Sequence, residues 1–188
     1  MTDNLISFLR ANTQLDNDGL NQARQYFKPR LYKKNSVIVF KGDICQYLYF
    51  VNKGCIRTYY LTTDGSEKTR HIAFNGSMGT ALANFIDQTP SLEYVDALED
   101  TELFLIHHKH FFTLVNQIPE WAAFYTRFLQ SAYMQQTYRM AQIISLTATQ
   151  RYQNLLADKP YYVARLSNKV LASYLDVAQE TLSRLKSK

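Results

Sequence analysis

The sequence has few of the features that place a protein in a membrane or outside the cell. Its 188 residues contain no run of about 18 apolar residues, the length that a membrane-spanning helix needs. The start, MTDNLISFLRANTQLD, lacks the basic residues, the continuous apolar stretch and the small-residue cleavage site of a secretion signal. We therefore expect a cytoplasmic protein that makes no contact with a membrane.

Residues that commonly build metal centres and active sites are also scarce. The two cysteines, Cys45 and Cys55, lie in strand-like segments, which is typical of buried small hydrophobic residues rather than of a disulfide or a metal pair. His107, His108 and His110 lie where a strand gives way to a helix, and a solvated edge explains them better than metal or haem ligation does. Without a nucleophile–base pair, paired carboxylates or a glycine-rich phosphate loop, we expect no enzyme activity, no metal and no cofactor.

What the chain does have is an uneven distribution of charge. The formal net charge is +5. Residues 81–106 carry six acids and no Lys or Arg, whereas residues 151–188 carry seven Lys or Arg and three acids. A basic terminal segment suits a phosphate-rich partner.

The middle of the chain has the pattern of an antiparallel β structure, in which turn signals such as Asn75-Gly76 separate short β-rich runs. The runs are Val37–Phe40, Tyr47–Val51, Ile56–Leu61, Thr69–Phe74, Val95–Leu98 and Leu103–Ile106. Their spacing of roughly 10 residues predicts a sandwich or a barrel. Before them, apolar residues at helical spacing predict an N-terminal helix with a break near Asn17 to Gly19.

The β pattern lapses between residues 77 and 90, where small residues could form a short helix. Such an interruption within a barrel is a natural place for a ligand pocket. An ordinary connecting loop explains the spacing equally well. Both interpretations stay open from the sequence.

A long helical segment follows, since there is neither glycine nor proline from Glu120 to Lys159, and its apolar residues cover more than one helix face. One face could pack on the barrel and the other on a second subunit, or both could be buried within one chain. Dimerisation is favoured because a chain of 188 residues has little left to cover a second face. Thr147-Ala148-Thr149-Gln150 is a capping box, which predicts a new helix at residues 148–157 and a domain boundary near residue 146.

The C-terminal segment has the pattern of a helix-turn-helix. Ser167 can cap a helix from Asn168 to Leu175, Asp176-Val177-Ala178 is a three-residue turn, and a second helix runs from Gln179 towards Lys188. With Leu182 and Leu185 packed inwards, six polar side chains face outwards: Gln179, Glu180, Thr181, Ser183, Arg184 and Lys186. Arg can read guanine, Gln can read adenine and Glu can accept from cytosine. Lys169, Lys186 and Lys188 suit phosphates.

These residues resemble transcription factors of the cyclic-AMP receptor protein/FNR (CRP/FNR) family, over nearly all of the chain. Residues 41–54, KGDICQYLYFVNKG, look like the family's early barrel motif, and residues 97–103, ALEDTEL, look like the strand pair after its phosphate-binding cassette. TATQRY at 147–152, LASYL at 171–175 and ETLSR at 180–184 look like its DNA-binding domain. The last segment is the most specific.

The resemblance implies an α+β fold in three parts. Residues 1–118 would form a cyclic-nucleotide-binding-like β-roll (a double-stranded β-helix or jelly roll), 119–146 a long dimerisation helix, and 147–188 a winged-helix-like helix-turn-helix domain. It also implies a homodimer that binds double-stranded DNA at a pseudo-palindrome, with RNA polymerase as a further partner.

The sensor part departs from the family pattern where a cyclic nucleotide would bind. Cyclic-nucleotide binders carry Gly-Glu-Leu in the cassette and, further on, an Arg for the cyclic phosphate. The corresponding positions hold Thr80, Ala81 and Leu82, and the Arg position holds Ser91, followed by Leu92. A buried phosphate without its bidentate Arg loses a strong charge-assisted pair. We therefore expect weak or absent binding of cyclic AMP, and an unknown small-molecule effector stays open.

The helix-turn-helix departs from the family pattern as well. Asp176 stands where the family usually has a turn glycine, and Asp tolerates the left-handed conformation better than most residues. Ala178 stands before the second helix in place of a capping Ser, at a cost of about 1 kcal/mol. The sequence ends at Lys188, so we expect the family's wing to be short or missing.

Two functions follow from these patterns. The first is a dimeric transcriptional regulator whose recognition helices enter successive major grooves about 34 Å apart. The alternative is a ligand-binding or interaction module with a helix-turn-helix remnant that does not read DNA. The complete outward set of Gln179, Glu180, Thr181 and Arg184 favours the first.

Overall fold

Strands dominate the N-terminal half of the structure, a computed structural model that describes residues 4–187. They are β1 (Phe27–Tyr32), β2 (Val37–Val39), β3 (Tyr47–Lys53), β4 (Cys55–Leu61), β5 (Glu67–Phe74), β6 (Met78–Gly79), β7 (Tyr94–Ala97) and β8 (Thr101–His107). They form two antiparallel sheets with the orders β1-β8-β3-β6 and β2-β7-β4-β5. The predicted antiparallel β structure and the β-roll are confirmed.

Helices flank and follow the β-roll. The first four are α1 (Asn4–Asn12), α2 (Asn17–Gln25), α3 (Leu82–Asp87) and α4 (His108–Gln117). The long helix α5 (Pro119–Ser145) has 27 residues. The C-terminal helices are α6 (Ala148–Asp158), α7 (Pro160–Arg165), α8 (Asn168–Leu175) and α9 (Gln179–Lys186). Every helix in residues 4–187 is too short or too polar to cross a bilayer.

The core of the β-roll lies between the sheets and continues under the first helices. Phe50 of β3 and Ile106 of β8 are fully buried, and Leu5 of α1 and Trp121 of α5 complete the same cluster. Each such side chain contributes roughly 1.5–3 kcal/mol when it leaves water. The buried residues of α5 are Trp121 and Phe124, both in its first two turns. The core therefore anchors the start of the long helix.

At the N-terminus one prediction is wrong and one strand was missed. The chain breaks between Asn12 and Asn17, not at Asn17 to Gly19, because the carboxylate of Asp16 accepts a hydrogen bond from the Gly19 N–H at 2.8 Å and caps α2. Strand β1 was not predicted because it contains Pro29. Proline is tolerated there because β1 is an edge strand, bonded to β8 alone.

The segment between residues 77 and 90 contains the two-residue strand β6 and the predicted short helix, α3. The capping box of α6 is also confirmed: the Thr147 side chain and the Gln150 side chain each accept a hydrogen bond from the other residue's backbone. From Leu146 to Ser187 the described residues form helices and connecting turns, without a wing strand.

Candidate nucleic-acid interface and sensor cassette

Helices α8 and α9 form the predicted helix-turn-helix. The Ser167 side chain caps α8 by accepting a hydrogen bond from the Val170 N–H at 3.3 Å. Asp176 ends α8 in the left-handed conformation, with φ 55° and ψ 50°. Ala178 precedes α9 without a side-chain cap. The helix bounds, the tolerated Asp and the missing cap all agree with the sequence predictions.

The packing of Leu182, which is fully buried, decides which side of α9 faces solvent. The exposed residues of α9 include Gln179, Glu180, Ser183, Arg184 and Lys186, and Thr181 is half-buried. The Arg184 Nε donates to the Glu180 carbonyl at 3.3 Å, so the side chain lies along its own helix. The predicted phosphate contact Lys188 lies outside the described residues. The structure thus brings the proposed base-reading residues together on one exposed side.

The other two predicted phosphate contacts already have partners. Lys169 Nζ lies 2.6 Å from Glu67 Oε1 on strand β5. Lys186 Nζ donates to Asn168 Oδ1 at 2.6 Å. No sequence pattern could have revealed the first contact, because its partners are 102 positions apart. Lys169 therefore has to break its ion pair with Glu67 before it can contact a phosphate.

Ser173, which sequence reasoning missed, attaches α8 to the β-roll. Its Oγ accepts from the Thr69 N–H at 2.8 Å and donates to the Glu67 carbonyl at 2.8 Å. Below this contact, an apolar cluster joins β5 to the C-terminal helices; its buried members include Ile72, Phe74, Tyr162, Leu166, Leu171 and Leu175. The helix-turn-helix is therefore packed against β5 of the β-roll by both polar and apolar contacts.

Arg151, the fifth residue of the TATQRY segment, fixes the helix-turn-helix to the end of the long helix. Its Nε donates to the Leu175 carbonyl at 2.9 Å, and its Nη1 donates to the Leu146 carbonyl at 2.7 Å. Carbonyls at helix C-termini lack partners within their own helix, and a cation there is favourable. Arg151 thus joins the ends of α5 and α8 through one guanidinium group.

The hydroxyl groups at the cassette positions donate hydrogen bonds to backbone carbonyls of the protein. Thr80 is buried, and its hydroxyl donates to the Tyr47 carbonyl at 2.9 Å. The Ser91 hydroxyl, where the family's Arg would stand, donates to the Glu93 carbonyl at 2.8 Å. Ala81 is fully buried and Leu82 is half-buried. Leu92 faces outwards with 65% of its surface exposed, so it takes no part in a pocket.

An ion pair occupies the space beside the cassette. Arg70 of β5 and the buried Glu93 form a bidentate contact through Arg70 Nε and Nη2, the latter at 3.1 Å from Glu93 Oε2. Arg70 Nη2 also donates to the Thr80 carbonyl at 3.3 Å. Sequence reasoning missed this pair, because neither residue stands at a family cassette position.

The cassette positions differ in chemistry from those of the family's cyclic-nucleotide binders. Ala81 offers no acceptor for a ribose hydroxyl, and Ser91 offers no positive charge for a phosphate. Arg70, the nearby cation, is neutralised by Glu93, and that carboxylate would repel a cyclic phosphate. At these positions the chain carries neither the Glu nor the Arg of the family pattern.

A second chain of charges links the β-roll to the helix-turn-helix. In buried Arg57, Nη2 lies 2.5 Å from Asp96 Oδ2 and Nη1 lies 2.6 Å from Glu67 Oε2. Glu67 also forms an ion pair with Lys169. Burial alone would lower the pKa of Arg57, but its hydrogen bonds and the charge of Asp96 raise it above the ordinary value. Burial likewise opposes ionisation of Glu67, yet Lys169 and Arg57 hold its pKa below the ordinary value. Both groups are therefore charged in the folded protein.

Cys45 and Cys55 are buried free thiols, as predicted, and burial raises the pKa of each. The His107 Nδ1 accepts from the Lys109 N–H at 3.1 Å and caps α4. Within residues 4–187, no three His, Cys, Asp or Glu side chains are grouped so that they could hold a metal ion.

Known proteins resemble this chain in sequence and in fold. The family model described as the cyclic nucleotide-binding domain matches residues 29–118. The chain is 29% identical to the cyclic AMP receptor protein of Thermus thermophilus over 97 residues, which is 52% of this chain and 44% of that protein. The match therefore spans less than half of that relative.

Solved structures share the fold over a larger part of the chain. FixK2 from Bradyrhizobium japonicum has a TM-score of 0.77 at 18% identity, and the match covers 86% of this chain and 83% of FixK2. The regulator CLP of Xanthomonas campestris has a TM-score of 0.73 at 17% identity, with 90% and 89% covered. Residues 29–118 therefore match a cyclic nucleotide-binding domain, and the chain shares the fold of FixK2 and CLP over most of its length.

Proposed function

We propose that this chain is a homodimeric, DNA-binding transcriptional regulator that does not depend on cyclic AMP. The exposed polar side of α9, held over buried Leu182, carries the proposal. Gln179, Glu180 and Arg184 on that side offer the donors and acceptors that read base edges in a major groove. RNA polymerase is the further partner that such a regulator implies.

The exposed apolar residues of α5 support dimerisation. Tyr133 is 71% exposed, Met140 59% and Ile144 77%. Together with Thr137 they follow steps of four, three and four residues, the spacing of a coiled-coil seam. A second copy of α5 would cover this seam and place two α9 helices for half-sites about 34 Å apart.

Selection of bound duplexes from a random pool tests DNA reading. We expect the wild type to enrich a pseudo-palindrome, and Arg184→Ala to lose the preference for one base per half-site while general binding is retained. Loss of one bidentate base contact corresponds to about 1–3 kcal/mol. Arg30→Ala, which removes an exposed Arg from β1 on the β-roll, is the matched control and should enrich the wild-type sequence.

The alternative, an interaction module with a helix-turn-helix remnant, is favoured by one observation. Lys169 is paired with Glu67, so a predicted phosphate contact is occupied. If the wild type and Arg184→Ala both bind duplexes without a sequence preference, the interaction module replaces the transcriptional regulator as the proposed function.

Independence from cyclic AMP has its own test. The cassette lacks charged partners for the ligand, so micromolar cyclic AMP should neither shift the melting temperature nor release heat in calorimetry. CLP is described as c-di-GMP responsive, which is consistent with regulators of this fold answering to other ligands. A saturable signal with cyclic AMP would contradict this part of the proposal.

A further inference from the structure

Two lysines of the helix-turn-helix have different partners. Lys169, in the first turn of α8, has its Nζ 2.6 Å from Oε1 of Glu67, a carboxylate of the β-roll. Lys186, in the last turn of α9, donates at 2.6 Å to Oδ1 of Asn168, a neutral amide. The charge of Lys169 is therefore neutralised within the chain, whereas the contact with Asn168 leaves the charge of Lys186 in place.

Glu67 is itself fixed by a buried group of charges. Arg57, which is only 4% exposed, donates from Nη1 to Glu67 Oε2 at 2.6 Å and holds Asp96 through Nε at 3.0 Å and Nη2 at 2.5 Å. One guanidinium group thus meets two carboxylates, so these three residues carry one negative charge in excess. Because Oε2 of Glu67 is held by Arg57, Oε1 is left for Lys169, which balances that charge.

The two partners of the ion pair differ in burial. The side chain of Glu67 is 20% exposed, whereas that of Lys169 is 61% exposed. Although burial opposes its ionisation, the hydrogen bonds from Lys169 and Arg57 keep the pKa of Glu67 below the ordinary value. A half-buried carboxylate that loses its cation is left partly uncompensated, whereas an exposed ammonium group is readily solvated. Glu67 is therefore the partner that depends more on the contact.

Neighbouring contacts keep α8 within reach of Glu67. Ser173 Oγ donates to the carbonyl of Glu67 itself at 2.8 Å. Lys68 of β5 pairs with Asp176, the residue that ends α8. Strand β5 is the edge strand of its sheet, so these groups of α8 can approach it from the open side. Both ends of α8 therefore lie beside β5, and Lys169 stays next to its carboxylate.

We propose that Glu67 limits the affinity of this chain for DNA by keeping Lys169 away from the phosphate backbone. A carboxylate and a phosphate are alternative partners for the same ammonium group. A lysine that binds a phosphate releases a counterion and steepens the salt dependence of binding, and a lysine held by a carboxylate does neither. The inference rests on the proposed function only in that the chain contacts a duplex through its helix-turn-helix.

The salt dependence of duplex binding distinguishes Lys169 from Lys186. A mixed-sequence duplex is the probe, so the measurement does not require sequence reading, and the affinity of the full chain is measured over about 50–200 mM salt. Lys186→Gln should reduce the slope of log K against log salt by about 0.9, the value for one phosphate contact. Lys169→Gln should leave the slope unchanged, because the lysine that it removes is held by Glu67.

Glu67→Gln should release Lys169 and remove this difference. The amide keeps an oxygen for Arg57 but has no charge to hold an ammonium group. The slope should steepen by about 0.9, which corresponds to about eightfold tighter binding at 0.1 M salt when affinities at 1 M salt are equal. Adding Lys169→Gln to Glu67→Gln should abolish this gain, whereas Lys186→Gln should reduce the slope in both backgrounds.

Glu120→Gln is the matched control, because it removes the same charge from an exposed residue in the first turn of α5. It should leave the slope unchanged. The proposal is overturned if Lys169→Gln reduces the slope of the wild type as much as Lys186→Gln does, or if Glu67→Gln steepens the slope no more than Glu120→Gln does. The first comparison leaves Glu67 intact, so it decides the question even where Glu67→Gln is unstable.

The selection from a random pool is scored separately from these slopes. A chain that binds duplexes without a sequence preference, but with the expected slopes, would refute the transcriptional regulator and support the role of Glu67. If the wild type and every variant fail to bind a duplex, both proposals are overturned.

Discussion

Lys68 on β5 and Asp176 in the turn between α8 and α9 form an ion pair, with 2.5 Å between Nζ and Oδ1. Asp176 is also the residue of the turn that adopts the left-handed conformation, with φ 55°. One side chain therefore shapes the helix-turn-helix and attaches it to β5 of the β-roll. The pair is 50% and 34% exposed, so its contribution to stability is only about 0–1 kcal/mol.

Substitutions at Asp176 separate these two roles. Asp176→Gly removes the carboxylate but adopts the left-handed conformation without steric cost, so we expect the free energy of unfolding to change by less than about 1 kcal/mol. Asp176→Ala removes the carboxylate and also places a Cβ in that conformation, which costs about 1–2 kcal/mol more. Urea unfolding of both variants measures the difference. An Ala variant as stable as the Gly variant would show that the turn is not constrained.

Ser173 should contribute more to the free energy of unfolding than the ion pair between Lys68 and Asp176, because its hydroxyl forms hydrogen bonds with two backbone groups of β5. Ser173→Ala leaves the Thr69 N–H without that acceptor, and an unsatisfied buried donor costs about 1–3 kcal/mol. We expect this loss in the free energy of unfolding, together with faster hydrogen exchange of the Thr69 amide.

Ser183→Ala is the control for Ser173→Ala, because Ser183 is an exposed residue of α9. It should change neither the stability nor the exchange of Thr69. Equal exchange rates of Thr69 in both variants would contradict the role of Ser173 as the link between α8 and β5.

The pH dependence of stability should reveal the contact between Glu67 and Lys169. The pKa of Glu67 lies below its ordinary value of 4.5, since the hydrogen bonds from Lys169 and Arg57 outweigh the effect of burial. A carboxyl group with a lowered pKa in the folded state stabilises the fold above its unfolded pKa, and this stability is lost as the pH falls through the folded pKa. The advantage of the wild type over Glu67→Gln should therefore be constant near neutral pH and shrink below pH 4.5.

Lys169→Met provides the matched variant for this measurement, since it removes one of the two cations that lower the pKa of Glu67. In the Lys169→Met background, the Glu67 advantage should be smaller at neutral pH and its loss should be complete at a higher pH, because the folded pKa moves towards the unfolded one. A difference between wild type and Glu67→Gln that persists unchanged to pH 3 would rule out this account.

Local rules explain which parts of the fold the sequence could predict. The caps at Ser167 and Thr147 involve partners three positions away, and Asp176 ends α8 through its own backbone conformation. Each of these signals lies within one turn of chain, so spacing alone reveals it. Alternating spacing also revealed six of the strands, whereas β1, where Pro29 obscured an edge strand, and the two-residue strand β6 were not predicted.

Contacts between distant segments could not be predicted in this way. Ser173 lies 104 positions from Thr69, and Arg70 lies 23 positions from Glu93. Neither pair leaves a periodic signal, because each depends on how β5 is placed against other elements. The absence of the family's Arg at Ser91 could be read from the sequence, whereas the ion pair beside the cassette could not.

The seam on α5 makes a direct prediction about assembly. Ile144→Glu places a charge at a position that is 77% exposed in one chain and that a dimer would bury. An unpaired buried charge is costly, so the dimer should dissociate at least about tenfold more readily in sedimentation equilibrium, while the helical content of the chain is unchanged. Tyr138→Glu is the matched control, because Tyr138 is 61% exposed but lies one position off the seam residue Thr137. If both variants dimerise like the wild type, or if Tyr138→Glu dissociates as readily as Ile144→Glu, the Tyr133–Met140–Ile144 seam is not the interface.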